Sequence, residues 1–275
     1  MVSAKSDKEL AYLHDLYVAL DWGERFAKLI DEHVKPPRRG RALYIAAGTG
    51  GHALALKERA GNEVTIIGVD ESEERLSLAR AKAAAIKAGE QVEFQVEQPE
   101  ALSFEDDQFD LVLNDASLIL PERLPEMLDE MVRVAAPGGT TAMNLATASS
   151  FGEFFSVYWE AMNNVELNEY SGTVELLIGE LPTVFDVETL ATRAGLDEVK
   201  SWTRVEEFDF ASGEEFLEAP LIRDFLMQNW LDALPDEDAR ERVLREVARI
   251  IDEDRQDGDF SLSIKATLVV GRKAT

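Results

Sequence analysis

Apolar positions in the first half of the chain follow two alternating patterns. Five short segments are predicted to be strands: 42–46, 64–69, 92–96, 109–113 and 140–145; the first is almost wholly apolar, as expected of a buried strand. The segments between these predicted strands carry apolar residues at helical spacing, with Ser72 and Gly89 at the expected ends of one helix. This alternation predicts an α/β domain with a parallel sheet and crossover helices.

The N-terminal segment carries a different pattern. Residues 7–33 form one apolar stripe at helical spacing, and Pro36 and Pro37 end it. We therefore predict a separate helical segment over residues 1–38, followed by the main domain.

The second half of the chain is less regular. Aromatic residues recur at helical spacing over 151–162, a strand is predicted at 199–205, and a helical insertion follows at about 212–257. In the last run, 260–270, apolar residues alternate with other residues, which is typical of an antiparallel strand. The pattern therefore predicts a seven-stranded, mostly parallel sheet in one domain over 39–275.

The net charge of the chain limits the classes of molecule that it can bind. The net charge is −26, from 54 acidic and 28 basic residues. Such a chain repels a polyanion, because nucleic-acid binding needs lysine and arginine to replace phosphate counterions. We expect no nucleic-acid partner, although an acidic surface is first of all a feature of solubility.

Cysteine usage and hydropathy exclude further classes. The 275 residues include no cysteine, so disulfides, thiolate metal sites and a cysteine nucleophile are excluded. No stretch reaches the roughly 18 apolar residues of a membrane span, and the first 20 residues do not form a signal peptide. We expect a cytoplasmic protein without a membrane span, and nothing in the pattern indicates an oligomer.

The first strand is followed by a glycine turn and a helix. Glycines allow left-handed dihedral angles and close approach of a ligand, and the helix N-terminus offers free N–H groups. Asp70 ends the second strand about 20 residues after Gly50, where a carboxylate can accept hydrogen bonds from ribose hydroxyls. Gly48, Gly50 and Ala53 also match a dinucleotide fingerprint, so this pattern alone leaves NAD open as the cofactor.

The wider pattern resembles class I S-adenosylmethionine-dependent methyltransferases. The run 42–50 (ALYIAAGTG) resembles motif I of that family, and Val69-Asp70 resembles its ribose-binding acid. The segments 99–104 and 107–112 resemble the adenine loop and fourth strand, and 133–139 resembles the stretch before the fifth strand. The resemblance is strong over about 39–145, and the ubiquinone- and menaquinone-biosynthesis methyltransferases are the nearest subgroup. It implies a Rossmann-like class I methyltransferase fold.

The resemblance also implies a cofactor and a site. The cofactor would be S-adenosylmethionine, released as S-adenosylhomocysteine, and residues 1–38 would form a lid over the site. The implied cofactor-binding residues lie at the ends of the first four strands: Ala46, Gly48, Thr49, Gly50, Asp70, Glu71, Gln98, Pro99 and Asn114. Among them, Asp70 would hold the ribose, and Gln98 and Pro99 would lie along the adenine.

Three positions depart from the family pattern. The family usually has a carboxylate at the position of Tyr44, which helps to hold the ammonium end of the cofactor, and a glycine at the position of Ala46. An aspartate is common at the position of Gln98, although glutamine can also bond adenine. These departures bear on activity more than on fold.

Methyl transfer does not require an obligatory catalytic motif, because the cofactor carries the reactive group and the protein aligns the acceptor. The candidates for a base are His52, at the start of the helix that follows the first strand, and Asp115, at the end of the fourth strand. His52 could equally be a turn residue, and Asp115 could equally serve a strand-end turn. No second and third ligand accompany Asp115, so we expect no metal.

The acceptor would be small and apolar or aromatic. Its pocket candidates are aromatic residues of the N-terminal segment and of the later aromatic helix: Tyr17, Trp22, Tyr158 and Trp159. Plain core packing is the alternative role for each of them. Two other functions stay open, a non-catalytic binding or scaffold descendant of a methyltransferase and an NAD-dependent oxidoreductase.

Overall fold

The computed structural model describes residues 5–254 and 258–275. Seven strands form one sheet in the order β3-β2-β1-β4-β5-β7-β6. The strands are Gly40–Ile45 (β1), Val64–Asp70 (β2), Val92–Val96 (β3), Phe109–Asp115 (β4), Ala135–Ala146 (β5), Leu196–Phe210 (β6) and Phe260–Lys273 (β7). The pairs within β3-β2-β1-β4-β5 are all parallel.

Helices connect these strands and precede the first of them. Their bounds are Asp7–Leu13 (α1), Glu24–His33 (α2), Gly51–Ala60 (α3), Glu73–Ala85 (α4), Leu124–Val134 (α5), Gly152–Asn164 (α6), Gly172–Glu180 (α7), Val184–Arg193 (α8), Gly213–Glu218 (α9), Met227–Leu231 (α10) and Glu237–Asp254 (α11). Two π-helical segments cover His14–Gly23 and Ile222–Leu226, and short 3₁₀ turns cover Pro121–Arg123 and Asn168–Tyr170.

Local sequence signals set several helix ends. Ser6 begins α1 with a capping box, in which its hydroxyl accepts from the Glu9 N–H and the Glu9 carboxylate accepts from the Ser6 N–H. Ser72 begins α4 by accepting from the Arg75 N–H at 3.2 Å. These caps fix the first turns of α1 and α4.

The chain divides into two compact units. The first contains Met1–Leu145, Val184–Thr203 and Ala266–Thr275, and the second contains Ala146–Thr183 and Arg204–Lys265. In the first unit, apolar residues of β1, β4 and α5 pack together in the core, among them Leu43, Val112 and Met131. The core of the second unit is aromatic, with close ring contacts among Phe154, Tyr158, Trp230 and Phe216.

The predicted fold class is confirmed. The sheet has seven strands and is mostly parallel, and the last strand of the chain, β7, is antiparallel. The N-terminal helical segment spans 7–33, and α9 to α11 lie between the last two strands, where the insertion was predicted. Residues 1–4 and 255–257, within the predicted N-terminal segment and insertion, lie outside the described residues.

Two differences from the sequence prediction have physical reasons. The strand predicted at 199–205 runs from Leu196 to Phe210, because alternating partly buried and exposed positions continue past both predicted ends. Helix α7 was not predicted, since its exposed face carries Leu176 and Ile178 and the apolar residues form no single stripe. The predicted division at residue 38 does not coincide with the two units, and the role of 1–38 as a lid stays a prediction.

Candidate cofactor and acceptor site

A cavity of about 540 Å³ lies in the first unit at the carboxyl ends of β1, β2 and β4. Open parallel sheets place ligands at this edge, and the volume lies within the range of roughly 300–1,000 Å³ that is usual for ligand pockets. One part of the lining comes from the turns that follow these strands, and another part comes from residues 14–31 of the N-terminal segment.

The turn after β1 reverses the chain through three left-handed residues. Ala46, Gly48 and Gly50 have φ angles of 53°, 56° and 80°. Gly50 precedes α3, and its N–H donates to the Ala47 carbonyl at 2.9 Å. Ala46 adopts this conformation although it has a Cβ, which costs about 1 kcal/mol relative to glycine. The turn therefore keeps its shape despite the departure at Ala46.

The Asp70 carboxylate stabilises the glycine turn through a hydrogen bond. Its side chain is 3% exposed, and its carboxylate accepts from the N–H of Gly48 at 2.9 Å and from the N–H of Ser72 at 2.9 Å. Arg75 adds an ion pair at 3.0 Å. These contacts tie the ends of β1 and β2 together at the cavity wall, where Asp70 is one of the lining residues.

A cluster of ion pairs around Arg123 forms the part of the cavity wall that follows β2. Arg123 contacts the carboxylates of Glu71 and Glu100, and its bond to Glu100 lowers the pKa of that carboxyl. Pro99 is buried and lines the cavity, whereas Gln98 is exposed and is not among the lining residues. The predicted adenine pair is therefore divided, with only Pro99 at the cavity.

The two polar residues at the end of β4 face opposite ways, as neighbours in a strand do. Asn114 is fully buried and its Nδ2 lies 3.5 Å from the Met131 sulfur, in the core. Asp115 lines the cavity, and its Oδ1 accepts from the Ser117 N–H at 3.1 Å. Burial raises the pKa of Asp115. The carboxylate, rather than the amide, is the group that a ligand would meet.

His52, at the start of α3, belongs to a chain of hydrogen bonds. Its Nδ1 lies 2.8 Å from the Tyr44 hydroxyl, and its Nε2 lies 3.0 Å from Asp31 Oδ1. Arg59 also pairs with Asp31. Tyr44 is 3% exposed, and burial raises its pKa well above the ordinary value, while burial lowers the pKa of His52 to about 4. His52 is therefore neutral at pH 7.

The N-terminal segment lines the cavity beside the glycine turn. His14 packs on Gly48 so closely that a Cβ there would lie 2.9 Å from the imidazole Cε1. Asp15 accepts from the Thr49 hydroxyl at 2.6 Å and contacts Lys82 of α4. Sequence reasoning missed Asp15 and Lys82, since no spacing rule links residues so far apart in the chain.

The aromatic pocket candidates are separated. Trp22 is 1% exposed, lines the cavity and donates from its indole N–H to the Ser117 hydroxyl at 2.9 Å. Tyr17 is 54% exposed and is not among the lining residues. Tyr158 and Trp159 belong to the second unit, where Tyr158 is fully buried against Phe154 and Trp159 is 51% exposed.

The cavity thus brings together many of the predicted residues: Trp22, Ala46, Gly48, Thr49, His52, Asp70, Glu71, Pro99 and Asp115. Gly50 is buried just behind the turn, where a Cβ would lie 2.7 Å from that of Ala79. Across residues 5–254 and 258–275, no group of three or more metal-ligating side chains comes together. Over the same ranges, none of the helices has the length and hydropathy needed to cross a membrane.

Comparison with known proteins agrees with this geometry. Residues 42–139 match the family described as methyltransferase domain. A similar protein is the ubiquinone/menaquinone biosynthesis C-methyltransferase of Geotalea daltonii, 32% identical over 125 residues, which are 46% of this chain and 53% of that protein. The chain thus spans about half the length of the curated relatives that it matches.

Solved structures share the fold at low identity. The YcgJ protein of Bacillus subtilis superposes with a TM-score of 0.60 at 18% identity, covering 92% of this chain and 99% of that one. Phosphoethanolamine N-methyltransferase 2 of Haemonchus contortus, solved with phosphomonomethylethanolamine and S-adenosylhomocysteine, gives a TM-score of 0.56 at 17% identity, covering 100% and 59%. Residues 42–139 therefore resemble a methyltransferase domain that includes the glycine turn and Asp70, and the solved structures share the fold.

Proposed function

We propose that the chain transfers a methyl group from S-adenosylmethionine to a small, apolar or aromatic acceptor. The observation that carries this proposal is one cavity at which the glycine turn, Asp70 and Pro99 meet. The matched methyltransferase domain, residues 42–139, contains all three.

The residues present fit this cofactor. The left-handed turn at Gly48 lines the cavity, and the first turn of α3 offers N–H groups. A carboxylate has about four acceptor positions, of which Gly48, Ser72 and Arg75 take three at Asp70. One position is left for a ribose hydroxyl, and Glu71 stands beside it. Pro99 offers an apolar surface to the adenine.

The cofactor supplies a methyl group on a positively charged sulfur. After transfer to the acceptor, the cofactor would be left as S-adenosylhomocysteine. The protein's contribution is to align the acceptor and exclude water. His52 is a poor base for an acceptor, because both of its ring nitrogens are engaged, by Tyr44 and by Asp31.

The lining suggests the class of acceptor. Apolar side chains occur on two parts of the wall, one in the N-terminal segment and one after β4: Val18, Leu20, Trp22, Leu118 and Ile119. These surfaces suit an aromatic or apolar molecule, and the similar proteins include a ubiquinone/menaquinone biosynthesis C-methyltransferase and a demethylmenaquinone methyltransferase. The net charge of −26 argues against a nucleic-acid acceptor.

Isothermal titration calorimetry tests the cofactor directly. The purified chain is titrated with S-adenosylmethionine, S-adenosylhomocysteine and NAD, and so are the Asp70→Ala variant and the exposed control Asp197→Ala. We expect micromolar binding of the first two ligands, lost in Asp70→Ala and kept in the control. Binding of NAD alone would support an oxidoreductase instead, and binding of none would support the non-catalytic descendant.

An acceptor screen tests the reaction itself. Radiolabelled methyl transfer from S-adenosylmethionine is followed with a panel of small phenols, hydroquinones, amines and short RNA. Transfer to aromatic acceptors alone would support the proposal. Transfer to amines or RNA alone would contradict the proposed acceptor class but leave the cofactor assignment in place.

A further inference from the structure

Three side chains from separate elements form a continuous chain of hydrogen bonds at the cavity wall. Tyr44 lies in β1, His52 in the first turn of α3, and Asp31 in α2, and all three line the cavity. The Tyr44 hydroxyl lies 2.8 Å from His52 Nδ1, and His52 Nε2 lies 3.0 Å from Asp31 Oδ1. Arg59 holds the Asp31 carboxylate from the solvent side.

The chemistry of these groups fixes the direction of each bond. A carboxylate such as that of Asp31 can only accept, so the N–H of neutral His52 lies on Nε2. Nδ1 then carries a lone pair and accepts from the Tyr44 hydroxyl. With its hydrogen directed at His52, the phenol oxygen has acceptor capacity left and no donor to offer. Tyr44 therefore presents only a hydrogen-bond acceptor to a ligand.

A second acceptor lies on the neighbouring strand. Ile45 of β1 pairs with Asn114 of β4, so Tyr44 and Asp115 flank this pair at the same sheet edge. The two are near enough that the charge of Asp115 contributes to the raised pKa of Tyr44, after the larger effect of burial. Burial in turn raises the pKa of Asp115. A cationic ligand group at this place would gain both acceptors and would relieve the isolated negative charge.

Three basic residues of the lining pair with other carboxylates. Arg75 pairs with Asp70, Lys82 contacts Asp15, and Arg123 contacts Glu71 and Glu100. Those ion pairs lie at the glycine turn and at the part of the cavity wall that follows β2. The groups that face His52 are Tyr44, Asp31 and Asp115.

We propose that Tyr44, oriented by His52 and Asp31, accepts a hydrogen bond from the ammonium group of the cofactor's amino-acid part, with Asp115 supplying the negative charge. The inference rests on the proposed function. It assigns Tyr44 and Asp115 as binding residues and His52 and Asp31 as positioning residues. The family that the chain resembles has a carboxylate at the Tyr44 position, and here a neutral phenol and a carboxylate from the next strand share that task.

The test compares two ligands by calorimetry. S-Adenosylhomocysteine carries the ammonium group, whereas 5′-methylthioadenosine keeps the adenosine and lacks the amino-acid part. Tyr44→Phe is expected to weaken binding of S-adenosylhomocysteine at least about 10-fold and to leave methylthioadenosine unchanged, since hydrogen bonds to charged groups are the stronger ones. Tyr12→Phe, at an exposed tyrosine of α1, is the matched control and should change neither.

Variants of His52 test the positioning role. His52→Leu removes the acceptor for the Tyr44 hydroxyl and should lower affinity for S-adenosylhomocysteine alone. His52→Asn keeps an acceptor oxygen near the Nδ1 position and should recover part of that loss, which a purely structural role would not predict. The double variant Tyr44→Phe/His52→Leu should bind no more weakly than the weaker single variant, because both act on one contact.

The outcomes separate the two proposals. If the unchanged chain binds neither ligand, the proposed cofactor is wrong and this inference fails with it. If the unchanged chain binds both, but Tyr44→Phe weakens both equally or weakens neither, the ammonium contact is overturned while the cofactor assignment stands. Circular dichroism and thermal unfolding identify any variant that fails to fold, and Asp31→Asn, at a half-exposed site, then provides the second test of the chain.

Discussion

The buried carboxylate of Asp70 accepts a hydrogen bond from the backbone N–H of Gly48 across 2.9 Å. The bond joins the end of β2 to the turn that follows β1. Together with the bond from the Ser72 N–H and the ion pair to Arg75, it makes Asp70 a structural centre of the turn. A residue that the sequence singles out for the cofactor therefore also shapes the place where the cofactor would lie.

Asp70→Ala should consequently reduce stability as well as ligand binding. Two backbone N–H groups and one guanidinium lose their acceptor at a buried position, which should lower the free energy of unfolding by about 3 kcal/mol. Urea unfolding followed by circular dichroism measures the change. Asp197→Ala, at an exposed aspartate of β6, should stay within about 0.5 kcal/mol of the unchanged chain. Equal stability of the two variants would contradict the structural role of Asp70.

The N-terminal segment should become more mobile when the ion pair that tethers it to α4 is removed. Lys82 of α4 contacts Asp15, which also accepts from the Thr49 hydroxyl at 2.6 Å. Lys82→Met removes the ion pair, which is partly exposed and so contributes only about 1 kcal/mol. We expect roughly five-fold faster amide hydrogen exchange over residues 14–23, with β1 unchanged. Lys8→Met, at an exposed lysine of α1, should leave the exchange unaltered, and equal acceleration in both variants would argue against the tether.

Strand and helix patterns predicted the fold because burial imposes a period on each element. The helical segment 7–33, the glycine turn and the alternating last strand all express such a period within a single stretch of sequence. Helix α7 carries no such stripe and was missed. The strand at 196–210 was predicted too short because pairs of charged residues at 197–198 and 206–207 border the predicted segment.

The site was predictable only where it is local in sequence. Asn114 and Asp115 show the limit, because adjacent strand residues face opposite sides and a parallel sheet buried on both faces gives no sign of which side bears the cavity. Contacts such as His52 with Asp31 join segments 21 residues apart, and no periodicity relates them. The role proposed for the Tyr44 hydroxyl depends on its contact with His52, which the motif alone does not indicate.

Acid should destabilise the fold through its buried histidines. Burial lowers the pKa of His52 to about 4 and that of His14 to about 3, whereas an unfolded histidine has a pKa near 6.5. The unfolded chain therefore binds protons that the folded chain excludes. The stabilisation is complete above about pH 6.5 and is lost as the pH falls towards 4, by up to about 1.4 kcal/mol per pH unit for each histidine.

Urea unfolding at about pH 7 and about pH 5 measures this loss. His52→Asn should lose less stability between the two pH values than the unchanged chain, because one of the two buried imidazoles is gone. His33→Asn, which removes a partly exposed histidine of α2, is the matched control. Burial raises the pKa of Asp115, which acts in the opposite direction in each of the chains compared. An unchanged pH dependence in His52→Asn would contradict the prediction.

Gly50, in the turn after β1, should tolerate alanine poorly. Its φ of 80° and that of Gly138, 74°, impose a similar backbone penalty on alanine, about 1 kcal/mol. Their surroundings differ, since a Cβ at Gly50 would lie 2.7 Å from Ala79 Cβ and 2.8 Å from the Phe94 ring, whereas at Gly138 the nearest atom is 3.7 Å away. Overpacking adds roughly 1–3 kcal/mol at Gly50 alone. Urea unfolding should therefore show Gly50→Ala to be clearly less stable than Gly138→Ala, and equal losses would mean that α4 yields to the added methyl group.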